Sequence, residues 1–63
     1  MSFLLIIYTT LGSYKFTIDS SKGNCQDLID FMTTEGLITY ELPYTLFKGA
    51  IMMGHVCKVI PVA

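Results

Sequence analysis

Hydrophobic and polar positions change rhythm along this chain, and the changes mark its elements. Phe3 to Thr10 reads Phe-Leu-Leu-Ile-Ile-Tyr-Thr-Thr, a run rich in β-branched and aromatic residues that carries no charge. A strand sends successive side chains to opposite faces. Here both sets, Phe3, Leu5, Ile7 and Leu4, Ile6, Tyr8, are apolar. Both faces need cover, which predicts a central strand. A short turn, Leu11-Gly12-Ser13, follows, with Gly12 free to take a positive φ. Then Tyr14, Phe16 and Ile18 alternate with Lys15, Thr17 and Asp19. That is the period of a half-buried strand. The two runs predict an antiparallel hairpin whose second, charged strand lies at an edge.

After the polar loop Ser20–Asn24 the period becomes helical. Cys25, Leu28, Ile29 and Met32 fall at i, i+3, i+4 and i+7, and Phe31 widens the stripe. Asn24 is a good N-cap, and Asp27 three residues on forms a relative of the capping box. Gly36 marks the stop, as a residue for the left-handed region. Such a helix, about eleven residues long, is too short to stand alone and must lie across a sheet. From Leu37 the alternation returns, with Ile38, Tyr40 and Leu42 against Thr39 and Glu41; Pro43 ends this strand or places it on an edge. Tyr44 to Phe47 is short and extended, and Lys48-Gly49 is a turn. Ala50 to Val62 reads as a strand in which Gly54 predicts a bulge or a bend.

The order predicts one α+β domain over residues 1–63: a single helix on one face of a roughly four-stranded sheet, ββαββ, with the first strand central. This element order resembles the β-grasp, or ubiquitin-like, fold, in which an N-terminal hairpin feeds a helix and the last strand returns beside the first. The resemblance rests on order alone. Ubiquitin-like modifiers and sulfur carriers end in an activated Gly-Gly, whereas this chain reads Pro61-Val62-Ala63, so neither conjugation nor sulfur transfer is implied. A plain meander with the helix across it is the alternative.

Composition sharpens this picture. The chain is 52% hydrophobic and 14% charged in 63 residues. A domain of this size buries about 60% of its unfolded surface and reaches a stability of roughly 3–5 kcal/mol. One helix covers one face of the sheet, so half of the apolar side chains of Phe3–Thr10 and of Val56–Val62 stay uncovered, and exposed apolar surface marks interfaces. The expected partner is another protein or a second copy. The four cations are all lysines, scattered at Lys15, Lys22, Lys48 and Lys58, and the net charge is −1. Nucleic-acid binding needs clustered cations and favours Arg, so no nucleic-acid partner is expected. Lysine without arginine fits an AT-rich coding source, such as a phage or a low-GC bacterium. No signal peptide and no apolar run of about 20 residues is visible, which predicts a cytoplasmic chain with no membrane partner. Both cysteines are then expected as free thiols in a reducing compartment.

Candidate chemistry is sparse. Cys25 sits where a helix N-terminus lowers a thiol pKa, but also on the apolar stripe, where cysteine serves as a small core residue. His55 and Cys57 share a face and, with Cys25, offer three weak candidate zinc ligands with no fourth. No nucleophile motif appears, and no enzyme, metal or cofactor is expected. Asp27, Asp30 and Glu35 form a solvated helix face or a small acidic patch. Tyr8, Tyr14, Tyr40 and Tyr44 are candidate interface anchors, and Met52 and Met53 candidate adaptable contacts. The preferred expectation is a small non-enzymatic interaction module, an adaptor or a phage-type inhibitor of a host protein, using an apolar sheet face or strand edge. A self-assembling structural or regulatory subunit is the alternative, followed by a redox or metal-binding protein using Cys25, Cys57 and His55.

Overall fold

A computed structural model describes residues 1–61. The chain forms β1 (Ser2–Thr9), β2 (Gly12–Asp19), a 3-10 turn (Ser20–Lys22), α1 (Cys25–Thr34), β3 (Ile38–Glu41), β4 (Tyr44–Phe47) and β5 (Ala50–Ile60). The class is α+β, as expected, but the sheet has five strands, in the order β2-β1-β5-β4-β3. The short extended piece Tyr44–Phe47 is a full strand, so the order is ββαβββ rather than ββαββ. Every ladder is antiparallel. The hairpin β1–β2 and the meander β3–β4–β5 are joined where β1 meets β5. The last strand does return beside the first, and β1 has a neighbour on each side.

The helix connects the two edge strands, β2 and β3. A connection between opposite edges must cross a whole face, and it does so over the face of Leu5 and Ile7. Leu5, Ile7, Cys25, Met32, Ile38 and Phe47 form the core, with Phe3, Tyr14, Phe16, Leu28, Ile29 and Met52 packed against it. The register explains the selection. Phe3↔Ile18, Leu5↔Phe16 and Ile7↔Tyr14 align one parity of β1 and β2, and Leu5↔Cys57 and Ile7↔His55 continue it into β5. Phe31 does not join this core: it is 57% exposed at the margin of the stripe.

The helix ends are set by the residues the sequence supplies. Asn24 accepts from the Asp27 N–H at 3.1 Å while the Asp27 carboxylate accepts from the Asn24 N–H at 2.9 Å, a full capping box. Glu35 is the C-cap, and Gly36 follows at φ +81°. The Leu37 N–H donates to Met32 O and the Gly36 N–H to Thr33 O, the bond pattern of a Schellman stop. Gly23 is held to glycine by the same cap: at φ +129°, a Cβ there would lie 2.6 Å from Asp27 Oδ2. Gly23→Ala and Asn24→Ala are each expected to lose about 1 kcal/mol or more of stability. A urea titration checks this, and an unchanged midpoint in both variants would show that the cap is dispensable. At the other side of the same loop Asp19 accepts from the Ser21 N–H at 3.1 Å, and that bond holds its carboxyl below the ordinary value.

The turns differ in one detail from expectation. The β1–β2 turn residues are Thr10 and Leu11, and Gly12 is already in β2, paired with Thr9 at φ +125°. The β4–β5 turn is Lys48-Gly49, with φ +51° and +82°, the mirror-image geometry that suits a two-residue hairpin. Gly54 does mark a bulge. Tyr8 pairs with Gly54 but Thr9 with Met52, so Met53 is the extra residue. A bulge bends its strand, and the bend has a visible result. Tyr14 and Phe16 on β2 reach across two intervening strands to Phe47 on β4, with ring centroids 5.0 and 6.0 Å apart. The sheet is therefore curled tightly at this end, and Lys48 Nζ lies over both the Tyr14 and the Phe47 ring, at 5.7 and 5.6 Å.

Candidate functional site

The same curl that closes one end of the sheet opens the other. β4 pairs with β5 only at Phe47↔Ala50 and Leu46↔Ile51. Beyond Ile51 the two strands part, and Ile29, Tyr40, Thr45 and the Met52–His55 segment line a cleft of about 300 Å³ at the fork. From Gly54 to Ile60, β5 keeps β1 on one side and has no strand on the other among the described residues.

The direction of the backbone groups on this free edge follows from the turns. A two-residue turn is closed by a bond between its flanking residues, here Thr9 and Gly12. In an antiparallel ladder the bonding residues alternate, so Phe3, Leu5 and Ile7 bond to β2, and Leu4, Ile6 and Tyr8 turn their N–H and C=O groups to β5. The bond from Thr10 N–H to Ile51 O at 3.0 Å has the same phase. The partners of Leu4, Ile6 and Tyr8 are Lys58, Val56 and Gly54. His55, Cys57 and Val59 therefore point their N–H and C=O groups out of the sheet. Among the described residues, no backbone bond outside the ladders reaches them.

The second surface is the sheet face opposite the helix. It carries Leu4, Ile6 and Tyr8 from β1, Val56, Lys58 and Ile60 from β5, and Leu46 and Ile51 at the hairpin. The smallest extent of the Cα trace is 14 Å, room for one helix layer over a sheet. Tyr8, Val56 and Ile60 are exposed, while Ile6 is only 7% exposed.

The structure divides the expected anchors between surfaces. Tyr8 is exposed on the open face, and Tyr44 is exposed on the same side of the β3–β4 hairpin, opposite Glu41. Tyr14 is half-buried against Phe47 on the helix side, and Met52 packs on the core. Tyr40 and Met53 are exposed at the cleft. No single patch gathers all six. Sequence periodicity singled out Leu4, Ile6 and Val56 as apolar, but the edge-facing backbone of His55, Cys57 and Val59 carries no residue signature. Only the partner order reveals it.

The cysteines correct an expectation. Cys25 and Cys57 are joined in a disulfide, with Cα atoms 6.1 Å apart, a separation that a disulfide spans. The parity of Leu5↔Cys57 places Cys57 under the helix start, and Cys25 is the first helical residue. Neither sulfur is a free thiol, so the step from free thiols to a reducing compartment does not hold; disulfides persist in oxidising surroundings. Two of the three candidate zinc ligands thereby lose their thiolates. Among the described residues no cluster of His, Cys, Asp and Glu is placed to hold a metal ion. His55 stands at the cleft, on the strand segment that carries the free edge. Among the described residues no helix is long and apolar enough to cross a membrane. Comparison with protein-family models, with curated proteins and with solved structures found no match.

Proposed function

We propose that this chain is a non-enzymatic interaction module that docks a folded protein on its open sheet face, acting as an adaptor or an inhibitor of that partner. The observation that carries the reading is the face of Leu4, Ile6, Tyr8, Val56 and Ile60, apolar at its centre and, among the described residues, covered by no second layer. Sheet faces of this composition pack against another sheet or a helix at about 10 Å. Tyr8 offers an amphipathic anchor of the kind that dominates interface energetics, and Lys15 and Asp19 on β2 and Lys58 on β5 give the face a charged rim.

A photo-crosslinking residue placed at Tyr8 tests the reading, with the same residue at Asp30, on the helix, as the comparison. Expressed in the source cell, the Tyr8 probe is expected to give a discrete heterologous adduct and the Asp30 probe none. Equal labelling from both positions, or no adduct from Tyr8, would remove the support for docking on this face.

A further inference from the structure

We infer that the free edge of β5 pairs with the β5 edge of a second copy of this chain, antiparallel about a two-fold axis at Val56. This rests on the strand edge and is independent of what covers the open face. The other two edges of the sheet are guarded. β2 carries Lys15 and Asp19 and runs into a 3-10 turn, while β3 is four residues long and ends at Glu41 before Pro43. Charge, brevity and proline are the devices that keep edges from pairing. β5 from Met53 to Ile60 has one charge, Lys58, and the Lys58 backbone groups face β1. The bulge at Met53 lies at the start of this segment, so from Gly54 on the edge keeps a regular ladder with outward amides at alternate residues, a template for another strand.

The occupant and the register follow from complementarity. Antiparallel pairing about a two-fold is isologous, so an edge meets itself. The bonding phase is met with the axis at any residue, and the axes nearest the middle of the Gly54–Ile60 segment, which keep the most rungs, lie at Val56, Cys57 and Lys58. At Lys58 two ammonium groups meet in the close, non-bonded pair, which repels. At Cys57, Lys58 faces an apolar Val56. At Val56, His55 and the partner's Cys57 exchange backbone bonds, and Val56 packs on its own copy. Lys58 then lies opposite the partner's Gly54. Nothing occupies the space a Cβ would take at Gly54. Tyr8 is the next residue across that gap, so the Lys58 side chain crosses it to the face of the partner's Tyr8 ring, a cation–π contact.

The pairing also changes the size of the open face. Over the β2–β1–β5 strands one copy presents roughly 300–400 Å², taking ~3.3 Å per residue and ~4.8 Å per strand. A stable complex needs about 800 Å² per side. A two-fold perpendicular to the sheet keeps both open faces on the same side, and a continuous β2-β1-β5-β5-β1-β2 sheet doubles the area offered.

Light scattering of the intact oxidised chain over a concentration series tests the pairing, together with crosslinking. The mass is expected to rise two-fold with concentration. Val56→Cys is expected to give a covalent dimer on mild oxidation, and Lys58→Cys not, because the two Lys58 positions are displaced along the strands. His55→Pro removes an outward N–H and none that bonds to β1, so it is expected to leave the circular dichroism spectrum unchanged and the mass monomeric. A monomer at every concentration would overturn the inference. So would equal crosslinking by both cysteine variants, or a dimer that survives in folded His55→Pro. If His55→Pro does not fold, the contrast between the two cysteine variants decides.

Discussion

Reduction of the Cys25–Cys57 disulfide is expected to unfold most of the chain at room temperature. The bond closes a loop of 32 residues in sequence separation. Closing a loop of that length removes denatured-state entropy equivalent to about 3–4 kcal/mol at 25 °C. A domain of this size has roughly 3–5 kcal/mol in total, so its loss leaves a margin near zero. The link also fixes the helix to the sheet, at its first turn, where packing is otherwise thin: Cys25 is buried there, and the next buried side chain of the helix is Met32. The measurement is a urea titration followed by circular dichroism, with and without a thiol reductant and on Cys25→Ala/Cys57→Ala. A reduced chain that keeps its oxidised midpoint would mean that the sheet and its aromatic cluster are sufficient alone.

Phe47→Ala is expected to cost about 3–5 kcal/mol, the range for emptying a buried aromatic site. Phe47 is 0% exposed and is the place where β4, β2 and the core meet. Its ring contacts Tyr14 and Phe16 from the far edge of the sheet, and Ile38 is its cross-strand neighbour. Removing it opens the curl that the bulge in β5 permits. The comparison is Phe31→Ala, a residue of the same size at the exposed margin of the helix, expected to stay within about 0.5 kcal/mol of the parent. Both are read as shifts of the urea midpoint under oxidising conditions. Equal shifts would place the core somewhere other than the aromatic cluster.

Local chemistry was legible because it depends on neighbours in sequence. Asn24, Asp27 and Gly36 set the helix ends as read, and Gly54 marked the bulge. The two-sided apolar pattern of Phe3–Thr10 identified the strand with neighbours on both sides, and the alternation from Tyr14 identified an edge. What depended on distance was missed. Tyr44–Phe47 is too short to show a period, so β4 became legible only through its pairing with β5. The disulfide joins residues whose meeting is decided by the antiparallel return of β5, which no spacing between Cys25 and Cys57 encodes. Tyr14 looked the same as Tyr8 in the sequence, but the parity of the β1–β2 register puts them on opposite faces. The open face was anticipated from the surplus of apolar residues over one helix; the fork that frees β5 arises from sheet curvature and has no sequence counterpart beyond Gly54.

The outermost rung of the β1–β5 ladder is Ser2↔Ile60, so the two ends of the described chain lie side by side in one ladder. Tension applied between them would load the rungs one after another, as in a zipper, rather than all together in shear. Local opening in proteins begins at such low-stability ends. Here the opening has a built-in limit. Cys57 is bonded to the helix and sits across from Leu5, three rungs in. The strand can peel from Ile60 back to Lys58, but at Cys57 the force passes through a covalent link into the helix. The rungs from Leu5 to Tyr8, which hold the buried part of the core, are shielded from fraying as long as that link is intact.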